Sequence, residues 1–139
     1  YSYAKNVEDA KLEANELIKY LKSSGNSSFE LPIFYDIEED SQISYGKKAI
    51  TDITIAFCET MKNAGYEVGV YSYSYWLILR LPADYSLWGA DYGTNNNGQV
   101  PSDLDKYSKT YDIWQFTDKA QIDGINGYVD MNVCYKKYF

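Results

Sequence analysis

A chain of 139 residues, 45% hydrophobic and 24% charged, is long enough for one domain with a core of its own. Its net charge of −7 speaks against nucleic acid, whose phosphates need clustered Lys and Arg, and against docking on an anionic membrane. The absence of histidine excludes Ser–His and Cys–His nucleophile systems and most zinc sites, which leaves acid–base chemistry to carboxylates with Tyr assisting.

Residues 6–24 predict an amphipathic helix, with Val7, Ala10, Ala14, Leu17, Ile18 and Leu21 at three- and four-residue spacing. Asn6 is its N-cap, Glu8 and Asp9 suit its first turn, and Gly25 stops it. A strand is expected over 31–38, then a helix over 45–64 with Ile50, Ile53, Phe57, Met61 and Ala64 on one face, ended by Gly65. A strand over 66–74, a short helix over 75–80 and a strand over 85–93 follow. The polar segment "TNNNGQVPSD" is a loop, residues 111–117 a strand, and "DGINGYVDMN" turn signals before a last strand. Early alternation of strands and helices predicts parallel βαβ units, and the short late connections predict an antiparallel or irregular end. Cys58 and Cys134 follow no metal or redox spacing and are expected as free, buried thiols, with a disulfide the lesser alternative. No run approaches the ~18 apolar residues of a membrane span and no signal peptide is visible. The sequence starts at Tyr1, so a native amino terminus is expected to have been lost.

The segment "LPIFYDIEED" drives an apolar run into Asp36, Glu38, Glu39 and Asp40. Side chains at i and i+2 of a strand share a face, so Asp36 and Glu38 stand side by side, as a charged edge or as a working acid pair. Glu39 and Asp40 read as solvated. In α/β folds sites gather at the carboxyl ends of strands. Tyr71 with Tyr73, Trp88 with Asp91 and Tyr92, and Trp114 with Gln115 occupy such ends, although Trp114 reads better as core. The 16 Tyr and 3 Trp suit flat ligands such as sugars. "DIEED" lacks EF-hand spacing, so no metal is expected, and no residue pattern asks for a cofactor.

Five ordered segments resemble the lysozymes of glycoside hydrolase family 25, found among phage endolysins and bacterial autolysins. "YSYA" is similar to the end of the family's third strand, and "LPIFYDIEE" to the strand bearing its Asp-x-Glu motif. "AGYEVGVYSYSYW", "LWGADYG" and "WQFT…GINGYVDMNV" are similar to the segments that follow in the family. The resemblance implies a modified TIM-like barrel of five βα units and three further strands. It implies cleavage of the β-1,4 bond between N-acetylmuramic acid and N-acetylglucosamine in bacterial cell-wall peptidoglycan. Glu38 would be the general acid and Asp36 its partner carboxylate, with Asp130 and Tyr71 contacting substrate and Trp88 and Tyr92 as sugar platforms. Tyr73, beside Tyr71, joins the same rim.

The family's first-strand Asp lies upstream of this sequence. The resemblance therefore implies the carboxyl-terminal part of one catalytic domain, lacking the first two βα units and most of the third strand, and inactive alone. A complementing chain would then supply the missing strands. With a charge of −7, retention on anionic walls calls for a separate wall-binding module. The enzyme is expected to act on the cell wall, released by phage at lysis or secreted. The alternatives are an inactive glycan-binding fragment and a chitinase-like glycosidase; Phe34 stands where the chitinase acid run would continue.

Overall fold

A computed structural model describes residues 1–25, 28–73 and 81–138. Helix α1 (Val7–Ser23) starts where Asn6 accepts a hydrogen bond from the Asp9 N–H at 2.9 Å, and it buries Ala10, Ala14, Ile18 and Leu21. Strand β1 (Ile33–Asp36) is shorter than expected: Leu31 is exposed, and Pro32 has no N–H to give a ladder. The expected helix over 45–64 divides. Asp40–Tyr45 is a 3₁₀ helix, and Gly46, at φ +78°, turns the chain into α2 (Gly46–Asn63). Strands β2 (Val68–Tyr73), β3 (Ser86–Ala90), β4 (Ile113–Ala120) and β5 (Val129–Cys134) follow. The short helix expected over 75–80 lies outside the described residues.

The strands form one sheet in the order β1-β2-β3-β4-β5. The first four are parallel and β5 is antiparallel to β4, as the short late connections implied. The two faces differ in kind. Tyr35, Ile37, Val68 and Val70 face α1 and α2 and form the main core with Ile53, Phe57 and Met61. Tyr35 stacks on Phe57, with ring centroids 3.9 Å apart. Further along that side, Tyr111, Trp114 and Phe116 form a second cluster beneath the segment between β3 and β4. Trp114 is therefore core, and the helix of an ordinary βα unit is replaced there by a loop. The opposite face carries Phe34, Asp36, Tyr71, Trp88 and Gln115, aligned by the pairs Asp36↔Tyr71, Tyr71↔Trp88 and Ala90↔Gln115.

Residues 1–4 run beside β1, where the Ser2 N–H donates to the Asp36 carbonyl at 2.8 Å. Glu13 of α1 ties this segment down, accepting from the Ser2 hydroxyl at 3.0 Å, the Tyr35 hydroxyl at 2.7 Å and the Tyr3 N–H at 3.0 Å. Both cysteines are free, but only Cys58 is buried. Cys134 is exposed, because alternation along β5 turns it away from the covered side.

Gly69 lets the floor close. A Cβ there would stand 2.4 Å from the Phe34 ring and 2.8 Å from the Ser86 carbonyl oxygen. Gly69→Ala is expected to destabilise the chain by about 1–3 kcal/mol, read as a lower urea midpoint. An unchanged midpoint would show that the Phe34 ring yields at no cost.

Candidate active site

Backbone pairing continues past β1 and fixes the acid pair. The Ile37 N–H donates to the Tyr71 carbonyl at 3.0 Å, and the Ser72 hydroxyl donates to the Ile37 carbonyl at 2.6 Å. Asp36 and Glu38 thus leave the same side of a chain held from both flanks. Asp36 Oδ1 and Glu38 Oε2 are buried and have no hydrogen-bond partner among the described residues. Burial pushes the Asp36 carboxyl above the usual carboxylate range. It does the same to Glu38, where the charge of Asp36 adds to burial and those of Asp130 and Asp40 contribute further.

Around the pair stands an aromatic wall. Trp88 meets Phe34 edge-on at 5.3 Å and Tyr71 edge-on at 5.1 Å, and its indole N–H donates to Asn132 Oδ1 at 2.8 Å. Tyr71 and Tyr92 both donate their hydroxyls to Gln115 Oε1, at 3.0 and 2.5 Å. The same amide turns its Nε2 toward Asp130 Oδ2 at 3.4 Å. Tyr73 lies at the margin, edge-on to Tyr92 at 6.3 Å. Burial raises the Tyr71 and Tyr92 hydroxyls above their ordinary range, Tyr71 also under the Glu38 charge, so both stay protonated donors. The structure therefore brings Asp36, Glu38, Asp130, Tyr71, Trp88 and Tyr92 together on one rim.

One contributor, Asn132, escapes sequence reasoning, and another, Gln115, is placed by it at a strand end without its role. Gln115, only 3% exposed, is the amide through which Tyr71, Tyr92 and Asp130 are tied, whereas its sequence position suggests only a strand end. Asn132 anchors the Trp88 indole. Only the β4–β5 register, which pairs Gln115 with Asn132, places both on the site face. Among the described residues, no group of three or more Cys, Asp or Glu side chains is placed to hold a metal ion.

Partly buried carboxyls beside phenol and indole rings, at the carboxyl edge of a parallel sheet, define a class: α/β proteins with a sugar-hydrolase type of cleft. The chain belongs to glycosyl hydrolases family 25, whose model matches residues 1–125. The catalytic domain of endolysin ply40, from bacteriophage P40 of Listeria monocytogenes, is 32% identical with a TM-score of 0.69, over 91% of this chain and 61% of its own. GHIP of Streptococcus pneumoniae, described as a glycosyl hydrolase 25 that participates in host cell invasion, has a TM-score of 0.69 at 23% identity, covering 97% and 57%. The Clostridium perfringens spore cortex lytic enzyme SleM has a TM-score of 0.70 at 22% identity, covering 93% and 45%. The last two show the fold alone. No curated protein sequence matches this chain. The chain thus spans about half the length of the solved structures it resembles.

Because the folded-state pKa of Glu38 is raised, the fold favours its protonated form. That contribution to stability is present at low pH and lost as pH rises through the raised pKa. Glu38→Gln should therefore raise the melting temperature at pH 7, by about 2–4 °C, and leave it nearly unchanged at pH 3. Thermal unfolding at the two pH values checks this; an equal gain at both would place the effect outside ionisation.

Proposed function

We propose that this site is the carboxyl-terminal part of an N-acetylmuramidase, cleaving the β-1,4 bond between N-acetylmuramic acid and N-acetylglucosamine in cell-wall peptidoglycan. The observation that carries it is the partly buried Glu38 carboxyl, pushed toward its neutral form by burial and by the charge of Asp36, opening on a rim of sugar-sized aromatic faces. A general acid must be protonated when substrate arrives. Glu38 would give its proton to the leaving glycosidic oxygen and then accept one from the attacking water. Asp36 would hold the substrate's N-acetyl group, whose own oxygen can serve as nucleophile in an assisted route. Trp88, wedged by Phe34 and Tyr71 and anchored by Asn132, offers a fixed ring for a sugar face. Tyr71, Tyr73, Tyr92 and Asp130 would complete the substrate rim. The 32% identity to an endolysin catalytic domain supports action on the bacterial wall.

The remainder of the domain is part of the same proposal. β1 and β5 are the two ends of the described sheet, and a TIM-like barrel takes ~250 residues and eight strands. The missing strands, with a further carboxylate from the family's first strand, would come from a preceding segment or a complementing chain. The charge of −7 supports a separate wall-binding module. The competing reading is a fragment that binds glycan without cleaving it, which the half-length span of the relatives favours.

Turbidity loss of peptidoglycan suspensions, with mass analysis of the new reducing ends, separates these readings. The chain alone is expected to be inactive. The domain completed with an amino-terminal half is expected to release fragments ending in N-acetylmuramic acid, with activity falling at least about 100-fold on Glu38→Gln. Clearing that survives Glu38→Gln would remove Glu38 from the chemistry. Binding without release would establish the glycan-binding reading, and clearing by the chain alone would refute the missing half.

A further inference from the structure

The segment from Asp91 to Asp112 does more than cover the second core. Its first part, residues 93–103, is pinned to the end of β4 and encloses with Trp114 and Phe116 a cleft of about 450 Å³, a size suited to a short peptide or a small ligand. The walls are fixed. The Asn96 amide donates to Asp118 Oδ1 at 2.5 Å, and Asn96 Oδ1 accepts the Thr117 hydroxyl at 2.5 Å. Gly98, at φ +78°, lies so close to β4 that a Cβ would stand 2.2 Å from the Lys119 carbonyl oxygen. On the other side, the Tyr107 hydroxyl donates to the Asp91 carboxylate and the Trp114 indole N–H to the Asp91 carbonyl at 2.8 Å.

The lining has a distinct chemistry. Asn95, Asn97 and Gln99 line it with exposed side chains, and Val100 adds an exposed apolar rim. Lys106 is a lining cation. Its Nζ sits over the Tyr107 ring at 4.6 Å and 6.0 Å from the Trp114 ring centroid, and it takes part in no ion pair among the described residues. Lys106 also shares a hydrogen bond with the Tyr107 side chain, while Asp103, which lines the cleft too, and Asp91 act on it by charge from a distance. The floor rings, Trp114 at 4% and Phe116 at 6% exposed, offer no free face for a sugar to stack on. Side-chain amides match the N–H and C=O groups of a peptide, and a lysine without an ion-pair partner matches a carboxylate. Tyr92 lines this cleft while its hydroxyl is bonded to Gln115 in the acid site, so the two recesses share one wall.

We propose that the cleft is a peptide subsite. It takes the peptide arm carried on the lactyl group of the muramic acid residue, pairing Lys106 with a carboxylate of that arm and the Asn and Gln side chains with its amides. The proposal rests on the muramidase reading for the source of the ligand, whereas the geometry of the cleft stands apart from the acid pair. Its consequence is selectivity: glycan bearing peptide arms would be held in place by contacts that bare glycan cannot make.

The test is an amide and indole NMR titration of the domain completed with an amino-terminal half, with three probes: N-acetylmuramoyl dipeptide, the same compound with its peptide carboxylate amidated, and an N-acetylglucosamine oligomer. The free-acid dipeptide is expected to shift the 93–103 amides and the Trp114 indole N–H. Amidation, or Lys106→Met, which keeps the aliphatic stem over Tyr107, should each weaken that binding about 5–10-fold. The sugar oligomer should shift the Trp88 indole and leave residues 93–103 still. Dipeptide shifts confined to the Trp88 side would overturn the subsite, as would affinity indifferent to both amidation and Lys106→Met. If the sugar oligomer leaves Trp88 unmoved while the dipeptide still fills the cleft, the muramidase reading fails and the peptide site stands.

Discussion

Everything at the site hangs on the parallel pairing of β1 with β2 and its continuation by one residue beyond the strand. The bond from the Ile37 N–H to the Tyr71 carbonyl, backed by the Ser72 hydroxyl on the Ile37 carbonyl, keeps the chain extended where an unpaired end would fray. Ile37 is 0% exposed and locks into the helix-side core. Its neighbours on both sides are thereby forced onto the opposite face. Two carboxyls are held close together and away from water because an apolar residue between them is fully buried. The core stabilises an arrangement that the carboxyls themselves resist.

That resistance is useful. An uncompensated buried carboxyl oxygen is costly in its charged form, so Asp36 and Glu38 both shift toward neutrality. Glu38 has the larger set of anions around it, with Asp36, Asp130 and Asp40 all acting on its charge. Asymmetry of this kind is what the proposed division into acid and partner carboxylate draws on. The second shell is built from amides and phenols for the same reason. Gln115 accepts hydrogen bonds from two hydroxyls and offers its own N–H to Asp130, and it brings no charge that would compete with the pair.

The elements were largely legible because their signals are local. Asn6 caps α1 as its side chain dictates, and the alternation in β2 and β5 is plain in the residue types. The expected strand over 31–38 is longer than β1 because apolar Leu31 looks like strand, whereas Pro32 ends the ladder behind it. Helix α2 was drawn too early because the periodic face hides the φ +78° turn at Gly46. Cys134 is expected buried, yet the alternation of β5 sets it with Asp130 and Asn132 on the exposed positions. The shared faces of Asp36 with Glu38 and of Tyr71 with Tyr73 could be read from i, i+2 spacing, whereas their roles enter only with the family resemblance. Gln115 could be placed at a strand end but not given its bridging role, and Asn132 could not be read at all, since both depend on the pairing of β4 with β5.

The covered face of the sheet is closed in two different ways. Next to β1 and β2 the covered face is helix-packed and apolar, and substitutions there are felt through volume. Next to β3 and β4 a long loop does the covering, and its closure is polar: Asn96 on Thr117 and Asp118, Tyr107 on Asp91. Such a loop can change its outward side chains while keeping the few bonds that seat it. Chemistry fixed to strand ends, recognition carried on the neighbouring loop, and Tyr92 as the wall between them would let one scaffold keep its reaction while changing which polymer it prefers.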